Sequence, residues 1–182
     1  SNIVFAFSQY QLVAYFMESV YLFFFDLVLI YILQYSQQYT RVFHEVSAFR
    51  IGCFIVAYLD GISLLLNTFF HHVFTLKKVS YIGIQMYCIS SKTIFYDLHY
   101  VFVYCLMFCA IASFLTKIMR ISSFYRTKYI PIFVVLCVIM ALNMACNVSG
   151  FPLDLSLPFF VFAAILICYL TLYRPPRELI EK

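Results

Sequence analysis

Residues 12–34 read LVAYFMESVYLFFFDLVLIYILQ, a run interrupted by only two charged side chains, Glu18 and Asp26. A helix of that length rises about 34 Å, which covers the roughly 30 Å hydrocarbon core of a bilayer. Comparable apolar runs recur near 51–74, 96–116, 129–147 and 158–173. The pattern predicts an all-α membrane protein, a bundle of about five transmembrane helices filling residues 1–174. Residues 175–182 are then expected to leave the membrane as a cytoplasmic linker. Composition agrees: 65% of the 182 residues are hydrophobic, 11% are charged, and mean hydropathy is +0.95. A soluble domain carries about 25% charged residues, so a water-facing surface cannot be made from this chain. With 16 Tyr, 22 Phe and no Trp, tyrosine supplies the amphipathic rings that settle at headgroup depth.

The connections set an expected orientation. Arg41 and Arg50 flank the first, Lys117, Arg120, Arg126 and Lys128 fill the third, and Arg174, Arg177 and Lys182 follow the last helix. Lys77, Lys78 and Lys92 share the long second connection, and the fourth has no basic residue. The positive-inside rule places the first set, and with it the C-terminus, in the cytoplasm, and an odd number of spans puts Ser1 outside. The second connection is longer than a helical hairpin needs. Within it Ile82, Ile84 and Met86 alternate with Tyr81, Gly83, Gln85 and Tyr87, and Ser90-Ser91-Lys92 could turn the chain back along 93–96. Two readings stand: a small outer β-hairpin, or an amphipathic segment lying flat on the membrane.

Ionisable groups at membrane depth are costly and normally face the bundle interior or water, so each is a candidate functional position. Asp60, Ser63, Asn67 and His71 follow one another at steps of three, four and four, which puts them on one inward-looking helical face. Asn143 and Asn147 repeat at four, and Glu18 and Asp26 at eight, which together predict a polar seam. Interhelical hydrogen bonding alone explains such a seam; aligned Asp and His can also relay protons. His71, His72, Asp97 and His99, with Glu18 and Asp154, are expected on one outer rim suited to a divalent metal or a small polar ligand. No HxxxH or HExxH spacing occurs, and adjacent histidines on a helix diverge by about 100°, so no metal or cofactor is assigned.

Other function classes fall away. The seven cysteines form no CxxC pair and lie mostly in apolar runs, which marks them as packing residues. A net charge of +4 spread over scattered positions is no nucleic-acid footprint. No lysine lies within the expected spans for a retinal Schiff base to form on. No nucleophile–base motif, glycine-rich phosphate loop or paired carboxylates occur, so the segment is expected to be non-catalytic.

The succession LLLNTFFHHVF at 64–74, YDLHYVFVY at 96–104, SSFYRTKYIP at 122–131 and GFPLDLS at 150–156 resembles the N-terminal seven-helix membrane sensor region of bacterial histidine kinases and diguanylate cyclases. In that family an Asn and a His close a helix at the outer face, an aromatic stretch with a Tyr or His opens the next, and a basic Tyr-Arg connection follows. Asn67, His71, Tyr100, Tyr125 and Arg126 stand at those positions here. The likeness runs from about Val13 to the end, lacks the first two of the seven helices, and stops at YRPPRELIEK, where such proteins enter a linker and an output domain. It implies a sensory, signal-transducing region of the bacterial cytoplasmic membrane. Its partners would be the bilayer, an unidentified small-molecule or physical stimulus and a fused cytoplasmic kinase or cyclase domain; a homodimer is compatible with it. The ligand-sensing candidates are Asp60, Asn67, His71, Asp97 and His99. The rival reading is a fragment of a small-solute or proton-coupled transporter, with Asp60, Asp26 and Glu18 carrying protons and Gly61 as the plausible mid-helix break.

Overall fold

The computed structural model of the chain describes residues 10–42, 47–81, 84–149 and 155–173. The described residues form five helices: α1 (Gln11–Thr40), α2 (Ser47–Phe70), α3 (Ile94–Arg120), α4 (Ser123–Val148) and α5 (Ser156–Tyr173). Between α2 and α3 stands a two-stranded antiparallel sheet, β1 (Phe74–Tyr81) and β2 (Ile84–Lys92). The first four helices are long and apolar enough to cross a membrane, and α5 is a shorter apolar helix. The chain is thus of the multi-pass membrane type. The expected linker at 175–182 lies outside the described residues.

The ends of the first two helices depart from the sequence reading for local reasons. The first helix runs to Thr40 rather than Gln34, because the Ser36 and Thr40 hydroxyls donate back to the carbonyls of Ile32 and Ser36, both at 2.7 Å. Their polarity is absorbed inside the helix instead of breaking it. It ends where Arg41 turns left-handed at φ 54°. The second helix stops at Phe70, four residues early, and His71 takes φ 51° as its cap. Histidine is among the few non-glycine residues that tolerate this region, and its Nδ1–H folds back to donate to the Asn67 carbonyl at 3.1 Å. The fourth helix starts at Ser123 rather than near Tyr129, so Pro131 lies inside it.

The hairpin reading is correct and its turn is not. Tyr81 pairs with Ile84 and Phe74 with Lys92, with a bulge at Thr75/Leu76. Ser90, Ser91 and Lys92 therefore belong to β2, and the connection after Tyr81 lies outside the described residues. Thr75 is within hydrogen-bonding reach of Ser90 and Ser91, which holds those serines in the ladder. Burial pushes the Cys88 thiol above its ordinary pKa, so this strand cysteine stays protonated. All seven cysteines carry free thiols.

The central pillar is α1, which packs on α2, α3 and α5, while α4 closes the bundle against α3 and α5. More than half of its most apolar stretch is buried, against a third or less for α2, α3 and α4. The outward faces of those helices carry Leu59, Ile62, Phe69, Leu98 and Phe108, all more than half exposed. Exposed apolar surface on this scale is what lipid covers.

Buried side chains form two apolar clusters. One lies at the hairpin end and includes Tyr15, Leu22, Leu64, Phe74 and Tyr96. The other fills the remainder of the bundle and includes Phe25, Ala57, Val103, Phe114 and Phe160. On α2 and α3, Asp60 and His99 stand between members of the two clusters, and on α1 Asp26 follows directly on Phe25, the first α1 member of the second cluster. Close approach of α1 and α2 nearby requires Gly61. A Cβ at that position would come within 2.2 Å of Phe23 Cδ2, yet α2 passes through Gly61 unbroken. Gly61→Val is expected to destabilise the bundle by about 1–3 kcal/mol through overpacking. Thermal unfolding in detergent micelles checks this, and Gly61→Ala should cost less because the half-buried Phe23 ring can swing.

Candidate functional site

Asp26 on α1, Asp60 on α2 and His99 on α3 stand close to where the two clusters meet, and their side chains converge. Asp60 Oδ2 lies 2.6 Å from His99 Nδ1, and Asp26 Oδ2 lies 3.6 Å from the same nitrogen. Asp26 and His99 are fully buried, and the Asp60 side chain keeps 20% exposure. With Nδ1–H facing carboxylates, the imidazole donates to Asp60. Among the described residues, neither carboxyl oxygen of Asp26 receives a hydrogen bond, and His99 Nε2 has no partner. The His99 ring sits edge-on to Tyr100, with centroids 5.3 Å apart.

Burying one charge away from water is expensive unless it is paired, and two carboxylates around one imidazole leave an excess of negative charge when both are ionised. The arrangement is therefore suited to holding something positive: a proton shared between the carboxyls, a cation, or a cationic solute. It joins three helices at one point, so whatever it holds also sets how they pack.

The structure separates the sequence candidates into three places. Asp60 and His99 meet in the bundle interior. Asn67 and His71 lie at the junction of α2 with the hairpin, where Asn67 Oδ1 accepts from the amides of Val73 and Phe74 at 2.7 and 3.3 Å and Nδ2 donates to the Phe74 carbonyl at 3.2 Å. His71 is exposed, outside the helix, with its ring 4.2 Å from that of Tyr15. Asp97 is exposed in the first turn of α3, where its charge complements the helix dipole. It borders a separate cleft of about 250 Å³ with Lys92, Tyr96, Tyr100, Tyr104 and Asn147.

The expected rim of His71, His72, Asp97 and His99 is therefore not one site, and Asp154 lies outside the described residues. His72 instead pairs its Nε2 with Ser63 Oγ at 3.0 Å. His99 is drawn inward because α3 begins at Ile94 and the hairpin covers its start: Thr93 Oγ1 bridges the carbonyls of His72 and Val73 at 2.7 and 2.9 Å. The polar seam resolves into two groups. Besides the Asp–Asp–His centre, Asn143 on α4 bonds Ser156 on α5, while the Tyr104 hydroxyl on α3 donates to Asn143 Oδ1 at 3.2 Å and receives Asn147 Nδ2 at 3.0 Å. That second group is interhelical hydrogen bonding of the ordinary kind. Asp26 was legible as a charge in an apolar run but not as the partner of His99, because one sequence shows which face a residue occupies and not which faces meet. No family model, curated protein or solved structure matches this chain.

Proposed function

We propose that this chain is the membrane-embedded sensory region of a bacterial signalling protein, seated in the cytoplasmic membrane with its hairpin outside and its C-terminus in the cytoplasm. It relays a stimulus to a kinase or cyclase domain carried beyond Lys182. The observation that carries the reading is the Asp26–Asp60–His99 centre, which ties α1, α2 and α3 together at the boundary between two packed clusters. The basic residues at the α3–α4 connection, Lys117, Arg120, Arg126 and Lys128, support the orientation, as does the resemblance to seven-helix sensor regions.

A relay needs two helix arrangements that the stimulus distinguishes. At the hairpin, the Leu76 amide donates to the Tyr15 hydroxyl of α1 at 2.8 Å, and Asn67 fixes β1 to α2. Both helices then lead to the buried centre. Next to Asp26, Phe25 packs on Phe160 of α5 at 5.2 Å, and the Leu157 amide at the start of α5 donates to the Tyr21 hydroxyl at 2.8 Å. A change at the hairpin or the centre thus has a contiguous packed route to the last helix before the output domain.

The test is His99→Gln in the full-length protein, with phosphotransfer or cyclic dinucleotide synthesis measured in membrane vesicles. Output should change by about fivefold or more, the lower range of allosteric coupling; unchanged output removes the centre from the relay. The same three residues also support proton-coupled transport. Proton flux into proteoliposomes that is abolished by Asp60→Asn, in a protein without an output domain, would favour that reading.

A further inference from the structure

We propose that Asp26, Asp60 and His99 form a binding site for a divalent first-row transition metal of the zinc type, with a fourth coordination position left open. The inference does not depend on whether the bundle signals.

Three observations converge. The donor atoms, two carboxylate oxygens and one imidazole nitrogen, all lie within 4.8 Å of one another. A tetrahedral ion with bonds of 2.0–2.1 Å needs donors about 3.3 Å apart. The two measured separations from His99 Nδ1, 2.6 Å to Asp60 and 3.6 Å to Asp26, bracket that spacing, so side-chain adjustments of under about 1 Å would close it. Second, Asp26 is fully buried with Oδ2 facing this centre, and no N–H or hydroxyl among the described residues donates to either of its oxygens. A carboxylate with no donor in an apolar interior is what a coordinated cation relieves. Third, the charges balance: two carboxylates and a neutral imidazole around a divalent ion make a neutral assembly, the form least costly to keep in a low-dielectric interior.

The donor set narrows the ion. One imidazole with two carboxylates and no thiolate suits zinc and its neighbours. Calcium would require six to eight oxygens, and magnesium an octahedral shell largely of water. Access exists because the Asp60 side chain keeps 20% exposure while the other two are sealed. Three protein ligands leave a place for water or a stimulus molecule to complete the shell.

The test uses the full chain in detergent micelles, stripped with a chelator, reloaded with Zn²⁺ and freed of excess, with zinc counted by atomic emission. About one equivalent per chain is expected. Asp26→Asn and His99→Gln should each weaken binding by more than the roughly tenfold that loss of an outer-shell partner costs. Should a variant fail to fold, Co²⁺ added to the stripped wild type supplies a second readout: visible bands of low-symmetry four-coordinate cobalt, lost when Zn²⁺ displaces it. A folded wild type that retains no zinc and shows no cobalt bands overturns the proposal and leaves a proton shared between the carboxyls. Equal retention by wild type and folded Asp26→Asn also overturns it, by locating the metal elsewhere.

Discussion

Replacing Asn67 with Leu is expected to destabilise the protein by roughly 3–5 kcal/mol, although the side chain keeps its branched shape. Asn67 is fully buried and satisfies the amides of Val73 and Phe74 and the carbonyl of Phe74, all in the segment where α2 gives way to the hairpin. Leucine would leave up to three backbone groups without partners in a dry environment, each costing about 1–3 kcal/mol. The loss should concentrate at the hairpin: amide exchange at Val73 and Leu76 should accelerate more than exchange in the middle of α4. Asn67→Asp keeps the oxygen acceptor and should fall between the two. A Leu variant with wild-type stability and exchange would mean that the hairpin docks by apolar contact alone.

The second large effect is a contrast between one substitution and three. His99→Leu alone should cost about 3–5 kcal/mol, because it strands Asp26 and Asp60 without their shared partner. Changing Asp26 and Asp60 to Val together with His99 to Leu should recover most of that loss, since a buried ionic group replaced by apolar residues of similar volume is often neutral or stabilising. Unfolding midpoints of the single and triple variants in the same detergent provide the comparison. Recovery would show that the centre is retained at the expense of stability, as a functional group and not a structural one. A triple variant as unstable as the single one would assign it to holding the helices together.

The fold was legible because lipid makes a simple demand. Two charges in residues 12–34 leave little choice but a spanning helix, and the alternation around Ile84 and Met86 announced a strand. What misled was polarity that the backbone absorbs. The segment QYSQQYT at 34–40 looks like a connection, but its hydroxyls bond their own helix and α1 continues through it. His71 looks like part of a helical face until Asn67 is seen to end that helix. The site was half legible. Periodicity marked Asp60 and depth marked Asp26 as costly, whereas His99 was expected on the outer rim. Their meeting depends on a contact between α1 and α3 across about seventy residues, together with a helix start moved by two positions, and neither follows from local spacing.

The position of Asp26 on the central helix also bears on how the protein is made. The carboxyl enters the membrane with α1, whereas the imidazole that faces it is synthesised about seventy residues later. At 5–20 residues per second that interval lasts several seconds. Meanwhile Asp26 lacks its imidazole partner at a depth where an unpartnered aspartate costs about 3 kcal/mol. Until α3 emerges, the apolar residues of the pillar must offset that cost without the imidazole, so the helix that organises the finished bundle is inserted before its interior partner exists.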